Sequence, residues 1–401
     1  MREASLMKRI QAQAEAISRV TFYREKFKTW GLNPKDLNGM ENFRRIPFMT
    51  LSDVQKDFED HPPFGSLLHP DNIRVHFSPG PKGLIPVVFT QKDIREMNRA
   101  NATCFRLAGV TSNDVVAVTF NYHLFIAGLS IHGGFETLGC KTIPVGPGET
   151  DRTLEILDRY GVTVLASNPS FAMKLFEKGA RGIRVLFAGG EPFSSVEGYK
   201  ERLRALCGGK ITLIDAYGLA QAAPLARECL HETGLHIIDD LFFVEIVDPE
   251  TGEVLPDGAK GEVVVTHLKK ESGPLLRFRT GDLSIMERFT CPCGRRTTLP
   301  KGVVGSAREM VKIKGVKVYP SQVSLVLKAF PGLTGRYRML ISSTGTTERF
   351  DMLMEGEIQG EQDLARLQTS MKKALLIAPN QIEVVKQLEN GPTIVDQRHN
   401  L

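Results

Sequence analysis

Beyond Asp114 the chain alternates short apolar blocks with amphipathic stretches. DVVAVTF, KTIPV, GVTVLAS and IRVLFAG have the dense apolar and β-branched content of buried strands. Between them, the glycine-rich run up to Gly139, TLEILDRY and PSFAMKLFEKG read as helices. Such strand–helix–strand repeats predict a mostly parallel sheet with helices on both faces, and ligands then sit beyond the carboxyl ends of its strands. The first hundred residues differ. They predict helices separated by turns at Pro34, Pro47, Pro62-Pro63 and Pro70, a helical lead-in to a larger domain.

Further along, FFVEIVD, GEVVVTHL and PLLRFRTGDLSIM predict antiparallel strands, with PETG as a turn. After Gly305, MVKIKGVKVYP reads as strand, SQVSLVLKAF as helix, YRMLISS and FDMLMEG as strands, EQDLARLQTSMKKAL as helix and QIEVVKQL as a last strand. The expected class is α/β. A large N-terminal domain over residues 1–304 carries mixed and parallel sheets, flanking helices and a β-rich subdomain, and a small α+β domain covers residues 305–401.

Composition narrows the function classes. At 401 residues two domains are the default, and 42% hydrophobic with 24% charged residues excludes disordered, collagenous and disulfide-scaffold chains. A net charge of +5 over this length is too mild to argue for a nucleic-acid protein, while anionic small molecules fit it. The longest apolar candidate, Leu124 to Phe135, is broken by glycines and His132, far short of the roughly 18 to 20 residues that span a bilayer. The N-terminus mixes acidic and basic residues without a signal-peptide core, so a cytoplasmic address is expected. Six cysteines are too few for a disulfide framework, and Cys291 and Cys293 in a Cys-Pro-Cys-Gly turn read as metal ligands or as chance. HExxH, GxSxG and GxxxxGK[ST] are all missing, which argues against metalloprotease, α/β-hydrolase and P-loop chemistry.

TFYREKFKTWGLNPKDLNGMENFRRIPFMT, NYHLFIAGLSIHGGFETLGCKTIPVGPGETDRTLEIL, FAGGEP, DAYGLAQ, HETGLHIIDDLFFVEIVDPETGE, RFRTGDL, CPCGRR and IKGVKVYPSQV occur in this order. Together they make the chain similar to the phenylacetate–CoA ligase family of adenylate-forming enzymes. The resemblance implies that family's fold, and a reaction in which an acid is activated by ATP as acyl-AMP and then passed to coenzyme A. It implies an adenine-side loop at Gly189, Gly190, Glu191 and Pro192, further nucleotide contacts at Tyr217 and Gly218, and a ribose-binding carboxylate at Asp282. A simple turn at 189–192, a core Tyr217 and a turn-capping Asp282 are the plainer alternatives. It also implies an acid pocket from Tyr122, His123, Phe125, Gly128 and His132 on the helix after FNY, where a buried core helix would show the same spacing. Structural zinc would be held by Cys229, His236, Cys291 and Cys293, with His231 competing for the histidine position.

Several positions depart from the family pattern. The phosphate loop, expected to be rich in Ser and Thr, keeps Ser78, Gly80 and Gly83. Pro79 and Pro81 supply no N–H, and Lys82 offers compensating charge. Gln221 replaces the Mg²⁺-binding Glu and loses the charge that ion prefers. Ser306 and Arg308 replace residues of the domain joint, and Asn390 stands where a late catalytic Lys is expected, with Lys386 a substitute. The implied cofactors are therefore ATP/AMP, coenzyme A, structural Zn²⁺ and a weakened Mg²⁺ site. Expected partners are a small carboxylic acid, a nucleotide, and coenzyme A or a carrier-protein thiol. A homodimer is left open, and neither nucleic acid nor membrane is expected. Two functions follow: an acid–CoA ligase for an aromatic or arylacetic acid, with Gln221 and Lys82 in the catalytic centre, or a non-ligating accessory protein that binds a nucleotide, acyl-adenylate or acyl thioester.

Overall fold

The computed structural model describes residues 3–80, 83–196, 198–307, 311–318, 320–327, 329–344 and 347–398. The chain divides into two compact units, Met1–Ser78 with Ile85–Ala307, and Pro79–Leu84 with Arg308–Leu401.

Helices Glu3–Ile17, Thr21–Trp30, Met40–Arg44 and Leu51–Asp60 form the N-terminal lead-in. The last opens on a capping box in which Thr50 and Asp53 satisfy each other's backbone N–H. Tyr23 is fully buried and ties the lead-in to the loop before the strand Phe278–Ile285, its hydroxyl donating to the Pro274 carbonyl at 2.9 Å and accepting from the Leu276 N–H at 3.1 Å. The all-helical expectation fails over residues 72–90. Strands β1 (Asn72–Gly80) and β2 (Gly83–Thr90) form a two-stranded sheet there. The runs IRVHF and LIPVVF are β-prone, rich in β-branched and aromatic residues that favour strand over helix.

Next come β3 (Val115–Val118), β4 (Lys141–Pro144), β5 (Val164–Ser167), β6 (Val185–Gly189), β7 (Thr212–Leu219), β8 (Ala222–Arg227) and β9 (Leu235–Ile237). They are followed by β10 (Phe242–Val247), β11 (Lys260–His267), β12 (Phe278–Ile285), β13 (Glu287–Arg288), β14 (Thr297–Leu299) and β15 (Gly305–Ser306). The main sheet runs β13-β14-β9-β8-β7-β6-β5-β3-β4, parallel from β7 to β4 and antiparallel from β7 to β13. Alternation along the parallel strands explains its two cores. Val164, Ala166, Val185 and Phe187 join Phe105 and Phe135 on one face, while Leu165, Leu186 and Leu213 join Leu175 and Phe176 on the other. Phe105 and Phe135 stack with centroids 3.7 Å apart between helices Gln91–Leu107 and Ala127–Leu138. The second sheet runs β10-β11-β12-β15, antiparallel throughout.

In the second unit the single strand expected at MVKIKGVKVYP is a hairpin, β16 (Val311–Ile313) and β17 (Val316–Val318). Lys314 and Gly315 turn the chain with φ of 49° and 76°, the double positive φ of a two-residue hairpin loop. Strands β18 (Leu333–Thr344), β19 (Thr347–Gly356), β20 (Gln381–Val385) and β21 (Ile394–Asp396) form a sheet in the order β20-β19-β18-β21. QIEVVKQL is thus not the last strand, because TIVD adds a parallel edge to β18. Helix Gly360–Leu375 buries Leu367, Met371 and Leu375 in one core with Phe350, Met352 and Met354 of β19.

Candidate functional site

Because β3, β5, β6 and β7 are parallel neighbours, their carboxyl ends share one edge. From β3 the chain goes first to β4 on one side and then to β5 on the other, so the strand order reverses at β3. A crevice opens at such a reversal, between the loops that follow the two strands. Side chains lock these loops together. Thr119 donates to Ser167 at 2.8 Å, and Asn168 donates to the Gly189 carbonyl at 3.1 Å. Gly190 has φ of 84°, and a Cβ there would lie 2.8 Å from the Asn168 amide nitrogen, so only glycine fits. Glu191 accepts from the Ser170 N–H at 3.0 Å and its hydroxyl at 2.9 Å, which binds the loop to the start of helix Pro169–Glu177. Pro192 leads into the buried Phe193.

Tyr217 on β7 donates its hydroxyl to Asp282 Oδ2 on β12 at 2.7 Å, across the two sheets. Burial first, then the Asp282 charge, push this phenol well above its ordinary pKa, so it stays a donor. Asp282 lies inside β12 opposite Ser306 of β15, which removes the turn-capping alternative. Its second carboxylate oxygen has no hydrogen-bond partner among the described residues. Gly218 beside Tyr217 is exposed, and a Cβ there would meet nothing nearer than 3.5 Å, so no protein neighbour demands the glycine.

Gln221 lies in the two-residue turn between β7 and β8, where Leu219 pairs with Ala222. It is buried, its Nε2 has no partner among the described residues, and it borders a cavity of about 30 Å³ with Phe89, Asp93, Met97, His267 and Lys270. Sequence reasoning passed over the last two. Lys270 is held by the Val88 carbonyl at 3.0 Å, Asp93 at 3.7 Å and the Phe89 ring at 3.8 Å. Burial pushes it down to about 8 against the pull of Asp93. Burial and then the Lys270 charge push His267 down to about 3, so it is neutral, and its Nδ1 accepts from the Leu275 N–H at 2.9 Å. The sequence does place a lysine pair, Lys269-Lys270, directly after the apolar stretch GEVVVTHL. Gln221 offers a divalent cation one neutral carbonyl and no charge, a poor fit for Mg²⁺.

Of the phosphate-loop residues, Ser78 is buried, Gly80 ends β1, and Gly83 starts β2 with φ of 125°. Lys82 and Pro81 lie outside the described residues, as does Arg308. Asn390 accepts from Arg336 at 3.2 Å, and Lys386 is exposed.

The expected acid-pocket helix needs correction. Helix Ala127–Leu138 begins after Tyr122, His123 and Phe125, which lie in the loop from β3, and only Gly128 and His132 are helical. The loop folds back on the helix start, with the Gly128 N–H donating to the Asn121 carbonyl at 3.2 Å. A Cβ on Gly128 would lie 2.5 Å from that oxygen, so this glycine answers to a close backbone approach. Loop and helix meet again where Tyr122 Oη lies 3.0 Å from His132 Nδ1 and His132 Nε2 lies 3.2 Å from Glu136.

Cys229 after β8, His236 in β9, and Cys291 and Cys293 between β13 and β14 bring their ligand atoms within 4.8 Å of one another. Cys229 Sγ is 3.4 Å from His236 Nε2 and 3.7 Å from Cys291 Sγ. Tetrahedral zinc with Zn–S bonds near 2.3 Å sets its sulfurs about 3.8 Å apart, so the cluster fits that ion. His231 is not part of it.

Residues 81–268 match the AMP-binding enzyme family. The chain is 35% identical to phenylacetate-coenzyme A ligase of Thermus thermophilus, over 85% of this chain and 78% of the relative. It is 31% identical to the phenylacetate-coenzyme A ligase of Escherichia coli K12, over 85% and 79%. The structure is similar to a 2-hydroxyisobutyryl-CoA ligase solved with 2-HIB-AMP and CoA, with a TM-score of 0.92, 25% identity, and coverage of 99% of this chain and 90% of the other. No helix among the described residues is long and apolar enough to cross a membrane.

Proposed function

The chain belongs to the phenylacetate–coenzyme A ligase family, and on that premise we propose that it joins an aromatic or arylacetic acid to coenzyme A through an acyl-AMP intermediate. In the first half-reaction a carboxylate oxygen attacks the α-phosphorus of ATP and pyrophosphate leaves. In the second the coenzyme A thiol attacks the acyl carbon, and AMP leaves with the bonding pair of the broken C–O bond. Asp282 accepts from the ribose hydroxyls through the oxygen that Tyr217 leaves open. The backbone of Gly189 to Pro192 borders the adenine, and the surface at Gly218 gives the nucleotide room. Tyr122, Phe125 and His132 border the acid. The protein's share of catalysis is to hold these groups in line and to keep water out.

The observation that carries this reading is the convergence of the Tyr217–Asp282 pair and the interlocked loops after β3, β5 and β6 on the sheet edge where the strand order reverses. The phenylacetate-coenzyme A ligases among its relatives favour turnover over a binding-only role. The Cys229, His236, Cys291 and Cys293 cluster holds a structural zinc ion, whose four positions are filled by protein. Gln221 leaves Mg²⁺ to be carried in mainly by the phosphates of ATP. Pyrophosphate release with ATP, coenzyme A and a panel of aryl acids tests the proposal: acid-dependent release followed by thioester is expected, and binding of nucleotide with no release for any acid would reject it.

A further inference from the structure

Tyr122, His132 and Glu136 form a hydrogen-bonded string that runs from the loop after β3 outward along helix Ala127–Leu138. Tyr122 Oη is 3.0 Å from His132 Nδ1, and His132 Nε2 is 3.2 Å from a carboxylate oxygen of Glu136 one helical turn on. The rings of Tyr122 and His132 meet edge to face with centroids 5.8 Å apart, which fixes the orientation of both. Chemistry at the outer end sets the direction of every bond. A carboxylate can only accept, so the neutral imidazole carries its one proton on Nε2 and leaves Nδ1 as the acceptor. The single proton of Tyr122 is then committed to Nδ1. What the phenol oxygen has left is lone pairs. Burial, and next the Glu136 charge, raise the Tyr122 pKa, so the phenol does not open a second state by ionising.

We propose that this string makes Tyr122 an obligate hydrogen-bond acceptor toward the bound acid, and that the preferred substrates are carboxylic acids bearing a hydroxyl or similar donor that meets Tyr122 Oη. The inference rests on the acid-pocket reading above and deepens it to a substrate class. The placement supports it, because Tyr122 sits on the loop leaving β3, beside the strand-order reversal, and Thr119 at the start of that loop is tied to Ser167 at the end of β5. Glu136 is a positioning residue that acts through His132, and it is the exposed member of the three.

The test uses non-hydrolysable acyl-sulfamoyl adenosines titrated against the full chain. One parent, the phenylacetyl mimic, is compared with 2-, 3- and 4-hydroxyphenylacetyl and α-hydroxyphenylacetyl mimics, and with pyridylacetyl mimics that carry an acceptor at nearly the same size. In the unaltered protein one hydroxylated mimic binds about 5- to 10-fold more tightly than the parent, the effect of one neutral hydrogen bond. In Tyr122→Phe that preference falls to about unity, while AMP affinity is unchanged. In Glu136→Lys an ammonium donates to Nε2, Nδ1 takes the proton, the Tyr122 proton turns toward the ligand, and a pyridylacetyl mimic overtakes the hydroxylated one. A hydroxyl preference that is absent from the unaltered protein, or that survives in Tyr122→Phe or Glu136→Lys, overturns the proposal. If AMP binds and no acyl mimic binds better than AMP, the acid-pocket reading fails and takes this inference with it.

Discussion

Tyr217 and Asp282 lie 65 positions apart and meet through one 2.7 Å hydrogen bond that couples the main sheet to the second sheet. Removing the carboxylate therefore does two things at once. Asp282→Ala leaves the buried Tyr217 hydroxyl without its acceptor, at a cost of about 1–3 kcal/mol, and deletes a charged acceptor for ribose, for a loss of about 10- to 100-fold in AMP affinity. Tyr217→Phe separates the effects. It keeps the carboxylate, so AMP affinity falls less than in Asp282→Ala. Thermal melts and calorimetric titrations of both variants check this, and equal AMP affinity in Asp282→Ala and the unaltered protein would remove Asp282 from the nucleotide site.

Zinc is expected at one ion per chain, since the four ligand atoms already converge. Chelation or Cys229→Ser is expected to lower the melting temperature without abolishing AMP binding, because the cluster sits in the antiparallel part of the sheet and the nucleotide loops follow the parallel part. Elemental analysis of protein prepared without chelator decides the stoichiometry.

At the β7–β8 turn, Gln221→Glu restores a charged oxygen. It is expected to raise the affinity for ATP–Mg²⁺ by about 10-fold and to leave AMP affinity unchanged, the difference being the ion's preference for a charged ligand. In the unaltered protein an acyl-adenylate mimic should bind more tightly than ATP–Mg²⁺. Parallel titrations with and without Mg²⁺ give both answers.

Asp114 supplies a pH signature of folding. Its carboxyl is held down to about 2: burial works against the charged form, but hydrogen bonds from Arg184, Thr111 and Thr163 outweigh it. A depressed acid stabilises the fold above its unfolded pKa near 4 and loses that contribution as pH falls toward 2. The contribution is about 2 kcal/mol. The gap in unfolding free energy between the unaltered protein and Asp114→Asn should shrink over that window, and a gap independent of pH would contradict the assignment.

Phe135→Ala removes a fully buried ring stacked on Phe105 and is expected to cost about 3–5 kcal/mol. Urea unfolding measures it. AMP affinity of the remaining folded protein should be unchanged, since the ring lies in the core beneath the sheet face.

What could be read from the sequence follows the range of the interactions involved. The parallel strands were legible because GVTVLAS and IRVLFAG are buried on both faces and must be apolar throughout. Of the cysteine cluster, Cys291 and Cys293 were legible as a local Cys-Pro-Cys signature, whereas Cys229 and His236 came only with the family resemblance. The two strands over 72–90 were not legible, since short β-prone runs such as IRVHF are hard to tell from helical segments amid the proline-marked turns of the lead-in. Nor was the start of helix Ala127–Leu138, which is set by the contact of Asn121 with Gly128 rather than by periodicity. The roles of His267 and Lys270 were not legible for a related reason. Their roles come from burial among Phe89, Asp93 and Gln221, residues far from them in the chain.

With the proposed zinc ion, the cysteine–histidine cluster also imposes an order of events on synthesis. Cys229 and His236 leave the ribosome first, and Cys291 follows 62 positions after Cys229. Until then the nascent chain holds half of a coordination sphere, and two ligands bind an ion far more weakly than four. The antiparallel end of the main sheet is thus finished only once the turn that begins at Cys291 has emerged, whereas β3 to β7, which need nothing downstream to pair, are free to assemble while translation continues.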